Sequence, residues 1–397
     1  MLPTAPPRSV PGDLEERAAR FRRVLEGLIG IPATDGNRVD VLRNGDEIFP
    51  AMLEAIEDAT TSIDFLTFIY WTGQIAEDFA GALARRAAAG VRVRVLLDGV
   101  GARLMDRTLV DRMRDAGAEV EWFRPPVQWR VWEVEHRTHR KVLVCDEEVG
   151  FTGGVGIAEE WCGDARHPGE WRDTHFRVRG PAVDGLRGAF ITNWLETGRA
   201  LFDEDEFADV EPAGDVCAQV VRGGAGVGWS DIAILLRALV QLATERLRIT
   251  TAYFTPDKTF LRLLCEAAER GVHVQVLTPG PHADKRIVQL ASEADYEALL
   301  DAGVEVWNYQ PSMLHAKVIT VDRAVACVGS SNVNSRSMAR DDEVSMTLFD
   351  PGLTALLDEH FDADLERSER ISESRWAHRS MPQKALETAT RIMRPRL

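Results

Sequence analysis

Apolar positions recur along this chain in two rhythms, and each rhythm occurs twice. The run SIDFLTFIYW at 62–71 is apolar enough for a strand buried on both faces, and RLRITTAYFT at 246–255 matches it. An amphipathic helical stretch precedes each run. Further on, AGVRVRVL at 89–96 follows the helix-like FAGALARRAAA, and RGVHVQVL at 270–277 follows FLRLLCEAAER. Ala116-Gly-Ala-Glu-Val120 then pairs with Ala302-Gly-Val-Glu-Val306. The offset between copies is 181 for Gly90 to Gly271 and 186 for Gly117 to Gly303, a difference of loop size. The pattern predicts two copies of a strand-helix-strand-helix unit of roughly 160 residues. Such alternation implies an α/β fold with helices packed on a mostly parallel sheet.

Length agrees, since 397 residues are too many for one ordinary core. The acidic, weakly periodic LFDEDEFADVEPAGD near 200–216 marks the boundary. The expected organisation is an N-terminal helical extension at 1–38, a first domain at 39–205, a second at 206–370 and a basic tail at 371–397. Asp13 and Glu16 stand at capping-box spacing ahead of a helix at 13–29 that places Leu14, Ala18, Phe21, Leu25 and Leu28 on one face. That helix is expected to pack on the first domain. Residues 374–397 carry six basic side chains against Glu387, which suits either an anionic lipid surface or plain solvation.

Composition narrows the function classes. No apolar run approaches the roughly 18 residues that cross a bilayer, and prolines and charges occupy the N-terminus where a secretory leader needs an apolar core. The expected location is cytoplasmic, with peripheral contact to the inner face of the cell membrane. Five widely spaced cysteines fit neither a disulfide framework nor a zinc site. A formal net charge of -16 argues against charge-driven nucleic-acid binding. Gly223-Gly-Ala-Gly-Val-Gly228 fits neither common nucleotide-loop pattern.

The chemistry-bearing motif also occurs twice. His139-Arg-Lys141 is followed by Asp146 and then Gly153-Gly154, and His315-Ala-Lys317 by Asp322 and then Gly329-Ser330-Ser331-Asn332. In extended backbone, residues two apart share a face, so each copy offers an imidazole beside an ammonium. An ammonium can hold the non-bridging oxygens of a phosphodiester while an imidazole attacks phosphorus or donates a proton. Lysine is scarce here, five against forty-two arginines, yet two of the five stand in these motifs. A compact point charge is wanted there, and a planar guanidinium fork is not. With lysines supplying the charge, no metal or cofactor is expected.

These paired H-x-K-x4-D segments resemble the signature of the phospholipase D superfamily. Trp171-Arg-Asp-Thr-His175, Ala252-Tyr-Phe-Thr-Pro-Asp257 and Gly329-Ser-Ser-Asn332 with Arg336-Ser337 are similar to its bacterial cardiolipin synthase branch. The resemblance implies two tandem α/β/α sandwich domains related by a pseudo-twofold axis, with mixed, mostly parallel sheets and both motifs at one site. It implies His139 as nucleophile and His315 as general acid/base, with the reverse order open by symmetry. Asp173 and Glu343 match the carboxylates that hold the histidines, whereas Asp146 and Asp322 are implied to be structural. Asn332, Ser330 and Gly154 are expected to touch substrate, and Gly156 stands where the first copy lacks an asparagine. Asp341 also departs from the branch, which has asparagine there.

The approach to His139 is ten residues longer than the approach to His315 and contains Trp129 and Trp132, read as a lipid-facing lip or as packing between the halves. The expected substrate is a phospholipid such as phosphatidylglycerol at an anionic membrane surface. The expected reaction is phosphatidyl transfer through phosphohistidine, with phosphodiester hydrolysis as the alternative.

Overall fold

The computed structural model describes residues 13–125, 136–200, 210–224 and 230–372. Its first part runs α1 (Leu14–Ile29), β1 (Thr34–Arg43), α2 (Asn44–Asp58), β2 (Ser62–Thr67), α3 (Gln74–Ala88), β3 (Arg92–Asp98), α4 (Arg107–Asp115), β4 (Glu119–Phe123), β5 (Val142–Cys145), β6 (Val149–Gly153), β7 (Thr174–Arg179) and α5 (Ala182–Leu195). There follow β8 (Val216–Gly223), α6 (Asp231–Leu242), β9 (Arg246–Thr250), α7 (Lys258–Glu269), β10 (His273–Pro279), α8 (Arg286–Glu293), α9 (Tyr296–Asp301) and β11 (Glu305–Tyr309). The last elements are β12 (Val318–Val321), β13 (Val325–Gly329), α10 (Ser335–Ala339), β14 (Glu343–Leu348), α11 (Pro351–Leu365) and β15 (Ser368–Arg370).

All fifteen strands join one sheet, ordered β15-β11-β10-β9-β12-β13-β14-β8-β1-β7-β6-β5-β2-β3-β4. Apart from the extra edge strand β15, the order is mirrored about the antiparallel pair β1 and β8, so the repeat read from the sequence appears as two mirrored strand orders. The predicted copies supply the parallel triplets β2-β3-β4 and β9-β10-β11. The expectation of a mostly parallel sheet is corrected, because only these four of the fourteen neighbouring pairs are parallel. The segments after each H-x-K fold instead as hairpins, β5 on β6 and β12 on β13. Links that short leave no room for a crossover, so pairing must be antiparallel. Asp146 and Glu147 turn the first hairpin at φ 53° and 63°, and Asp322 and Arg323 turn the second at 50° and 59°. A turn with left-handed backbone at both central residues usually advertises itself by glycine or asparagine, and neither is present here.

α1 begins as read, with the Asp13 carboxylate accepting from Glu16 N at 2.9 Å, and it ends at Gly30, whose N–H donates to Glu26 O at 2.8 Å. Its placement is a second correction. Ala18, Phe21 and Leu25 pack into the core formed by α6, α7 and α9, while Leu14 and Leu28 are exposed. The position of β1 explains this, since a helix feeding the seam strand can lie over either half, and the apolar face of α6 needs a cover.

The core has three main layers. One lies under α2, α3 and α4, and Ala252 and Met313 of the second half reach into it. Another lies under α1, α6 and α7. On the opposite face α5 and α11 cover a layer built from strands of both halves, among them Val144, Phe176, Val220, Val328 and Met346. The halves thus share one continuous apolar layer across the seam.

Candidate active site

His139 and Lys141 stand in the extended lead-in to β5, and His315 and Lys317 in the equivalent lead-in to β12. Each lead-in pairs with the opposite half. His139 N donates to Asp342 O and Asp342 N to Arg137 O, both at 2.8 Å. His315 N donates to Arg172 O at 2.7 Å and Arg172 N to Met313 O at 2.8 Å. Asp342 immediately precedes Glu343, and Arg172 immediately precedes Asp173. These two parallel bridges carry each carboxylate across to the other half's histidine.

The side chains complete the crossing. His139 Nδ1 lies 3.1 Å from Glu343 Oε1 and 3.1 Å from the carbonyl oxygen of Ser330. His315 Nδ1 lies 2.9 Å from Asp173 Oδ2. Because a carbonyl only accepts, Nδ1 of His139 carries the proton and Nε2 keeps its lone pair for phosphorus. Burial and the nearby lysines hold His139 well below the usual imidazole range and bring His315 down to about 4, so both rings are neutral near pH 7. Burial also lowers Lys317 to about 7 and Lys141 to about 8, although neighbouring carboxylates oppose it.

The two carboxylates differ. Asp173 is held below its ordinary value despite burial, with His315, Trp161 Nε1 at 2.9 Å and Thr174 N at 2.8 Å as donors. Burial pushes Glu343 up to about 7, against the pull of Lys141 and the hydroxyl of Ser330. The His315 partner is therefore the firmer anion.

Two anchors fix the bridges. Arg137 is bound to Asp98 at 2.9 Å, and Arg172 to Asp364 of α11 at 2.9 Å, with all four side chains almost fully buried. Breaking a buried pair of this kind costs about 3–5 kcal/mol. Asp342 is tied to α5 by Asn193 Nδ2 at 2.8 Å.

Asp146 and Asp322 lie at the far ends of the hairpins. Asp146 accepts from the N–H groups of Thr60, Thr61 and Ser62 at 2.7–2.9 Å, and Asp322 from those of Glu245 and Arg246 at 2.8 and 2.9 Å. Each ties its hairpin to the start of β2 or β9.

The expected substrate contact of Ser330 and Gly154 does not match their placement. Ser330 is fully buried, with its hydroxyl on Glu343. Gly154 is packed so closely beneath Asp173 that an added Cβ would lie 2.2 Å from a carboxylate oxygen. The smallest residue is needed to admit the acid, so both positions support carboxylates from below. Asn332 does line the cavity, and its amide oxygen accepts from Tyr253 N at 3.3 Å. The matching Gly156 is set by packing, since a Cβ there would meet Ile69 Cβ at 2.6 Å.

Both histidines open on a cavity of about 420 Å³ lined by Phe68, Trp71, Val100, Trp161, Trp171, Tyr253, Lys285, Asn332 and Arg336 among others. The lining is unequal. Trp161, Trp171 and Tyr253 surround His315 at ring-centroid distances of 5.1, 5.4 and 6.3 Å, whereas among the described residues Phe68 alone edges His139, at 5.2 Å. Arg336 Nε binds Asp341 Oδ2 at 2.7 Å within the same cavity, and burial lifts Asp341 to about 7. The sequence reading assigned no role to Phe68, Trp161, Tyr253 or Lys285. Trp161 follows no motif, and the one available signal for Lys285 was its rarity. Trp129 and Trp132 lie outside the described residues, as does the tail from 374 onward. Among the described residues no three His, Cys, Asp or Glu side chains converge as metal ligands would.

Comparison with known proteins agrees with this geometry. The family described as "Cardiolipin synthase, PLD-like domain" matches residues 52–161 and 236–365. Cardiolipin synthase 1 of Bacillus cereus is 31% identical over 394 residues, covering 97% of this chain and 77% of the relative. Cardiolipin synthase 2 of Bacillus anthracis is 34% identical over 399 residues with the same coverage. Among solved structures, a phosphatidylserine synthase of Haemophilus influenzae Rd KW20 superposes with a TM-score of 0.69 at 14% identity, covering 95% of this chain and 100% of that one. At that identity the likeness speaks for the fold.

Proposed function

The chain belongs to the cardiolipin synthase, phospholipase D-like family, and on that premise we propose that it joins two phosphatidylglycerol molecules into cardiolipin with release of glycerol. It is a phospholipid phosphatidyltransferase of the cardiolipin synthase type. The observation that carries the specific reading is the pair of imidazoles, each with its Nδ1 within hydrogen-bond distance of a carboxylate, facing one largely apolar cavity with lysines beside them.

In the first step His139 Nε2 bonds to phosphorus as the P–O bond to glycerol breaks, and the departing alkoxide takes a proton from His315. In the second step the hydroxyl of another phosphatidylglycerol gives its proton to His315 as its oxygen bonds to phosphorus, and the N–P bond breaks. His315, neutral in the resting site, takes up one proton before the first step and regains it from the acceptor hydroxyl in the second, and Asp173 stabilises the transient imidazolium. Lys141 and Lys317 offset the charge on the phosphoryl oxygens.

Binding is peripheral, to the anionic inner face of the membrane. No described helix is long and apolar enough to cross it. Support for a lipid-facing mouth comes from Leu104 and Ile287, exposed by 53% and 43% on the segments that follow the equivalent strands β3 and β10. Ile287 adjoins the cavity-lining Val288, and Leu104 lies four residues beyond the cavity-lining Val100.

The test is incubation of the purified protein with phosphatidylglycerol vesicles, in the presence of a chelator, with identification of the products. Cardiolipin plus glycerol is expected, and His139→Ala should abolish both the products and any covalently labelled protein. Phosphatidic acid without cardiolipin would replace transfer by hydrolysis.

A further inference from the structure

Three of the chain's five lysines meet at the catalytic cavity, in a protein that otherwise uses arginine as its cation. Two stand against the catalytic histidines. Lys141 Nζ rests 2.7 Å from the carbonyl oxygen of His139, and Lys317 Nζ lies 3.2 Å from Nε2 of His315. The third, Lys285, immediately precedes α8, and its ammonium sits 5.1 Å from the centroid of the Tyr253 ring. The same ring meets His315 edge-on at 6.3 Å. One aromatic ring thus separates the ammonium from the imidazole that receives the acceptor's proton.

Lys285 is also electrostatically available. The adjacent Asp284 is engaged by the Tyr253 hydroxyl at 2.7 Å, and Lys285 forms no ion pair with a described residue. Of the arginines on the wall, Arg336 has its charge offset by Asp341 and Arg137 by Asp98. An exposed ammonium on the wall of a lipid cavity, beside the acid/base and apart from the phosphoryl-holding lysines, matches the second negative charge in the reaction. The phosphoryl group being moved carries one charge, and the acceptor phospholipid brings another on its own phosphodiester.

We propose that Lys285 binds the phosphodiester of the incoming phospholipid and thereby selects an acceptor that bears a phosphate over water or a neutral alcohol. This rests on the transfer reading above. With the acceptor phosphate on Lys285, its free glycerol hydroxyl is carried toward His315 and the phosphohistidine. Holding the nucleophile in place raises its effective concentration against bulk water. A point charge with rotatable donors suits a headgroup approaching from the membrane, where a guanidinium would impose a fixed plane.

The experiment supplies phosphatidylglycerol vesicles together with a fixed excess of ethanol, and measures the ratio of cardiolipin to phosphatidylethanol for the full-length protein and its variants. Lys285→Ala should lower that ratio by about tenfold or more, as expected for loss of a charge-assisted contact, and Lys285→Arg should restore most of it. An unchanged ratio in Lys285→Ala overturns the proposal, and so does an equal fall of both products, which would place Lys285 in the step they share. Phosphatidylethanol without cardiolipin from the unmodified protein would sink the phosphatidylglycerol-acceptor reading, and this proposal with it.

Discussion

His175 shows how a residue beside the motif can govern stability without touching the reaction. It lies on β7, two positions beyond Asp173, fully buried, with Nδ1 lacking a hydrogen-bond partner. Burial and Lys141 bring it down to about 4 from an ordinary 6.5. A base whose folded pKa is depressed makes the unfolded state the better proton binder between those two values, so stability is lost as pH falls from 6.5 toward 4. The loss from this one group reaches about 3 kcal/mol at the lower end. His175→Phe should shrink the stability difference between pH 7 and pH 4.5, read by urea unfolding, by about 2 kcal/mol. Equal losses in the variant and the unmodified protein would exclude His175 as a source. His139 and His315 add to the same acid sensitivity, because their environments shift them in the same direction.

At the scale of elements, the parallel triplets were legible because AGVRVRVL and RGVHVQVL combine a helix-ending glycine with a buried strand. The hairpins that carry the motifs were not. Their turns use Asp146-Glu147 and Asp322-Arg323, and the carboxylates that tie those turns down act on backbone far away in sequence, Thr60 to Ser62 and Thr244 to Arg246. The crossing of Glu343 to His139 and Asp173 to His315 was illegible for the same reason, since it depends on bridges between distant segments. The paired histidines and lysines could be read because their spacing is local. The segments after β3 and β10, which carry Leu104 and, in α8, Ile287, belong to this scale too. If Leu104 and Ile287 seat the mouth on lipid, changing both to Asp should weaken binding to phosphatidylglycerol vesicles at least about tenfold, since each exposed aliphatic side chain can contribute 1.5 kcal/mol or more on burial. Sedimentation with vesicles measures it, and undiminished binding would move the contact elsewhere on the surface.

Over the whole molecule, the mirrored sheet and the apolar layer on the α5 face join the halves. The sequence suggested two domains because the pattern repeats, but periodicity does not reveal that strands from both copies bury their side chains in the same layer. Calorimetry should therefore give a single transition whose calorimetric and van't Hoff enthalpies agree, and two resolved transitions would mean that the seam is weak. The seam strand has a consequence for biosynthesis. β1 leaves the ribosome well ahead of its neighbours β7 and β8, which begin at Thr174 and Val216, about 130 and 170 residues later. At ordinary elongation rates, roughly 5–20 residues per second, the nascent strand waits several seconds or more with both edges unpaired. A strand at the centre of the finished sheet is thus closed on both edges only after β8 has been made, and expression yield should respond to whatever shields residues 34–43 during that interval.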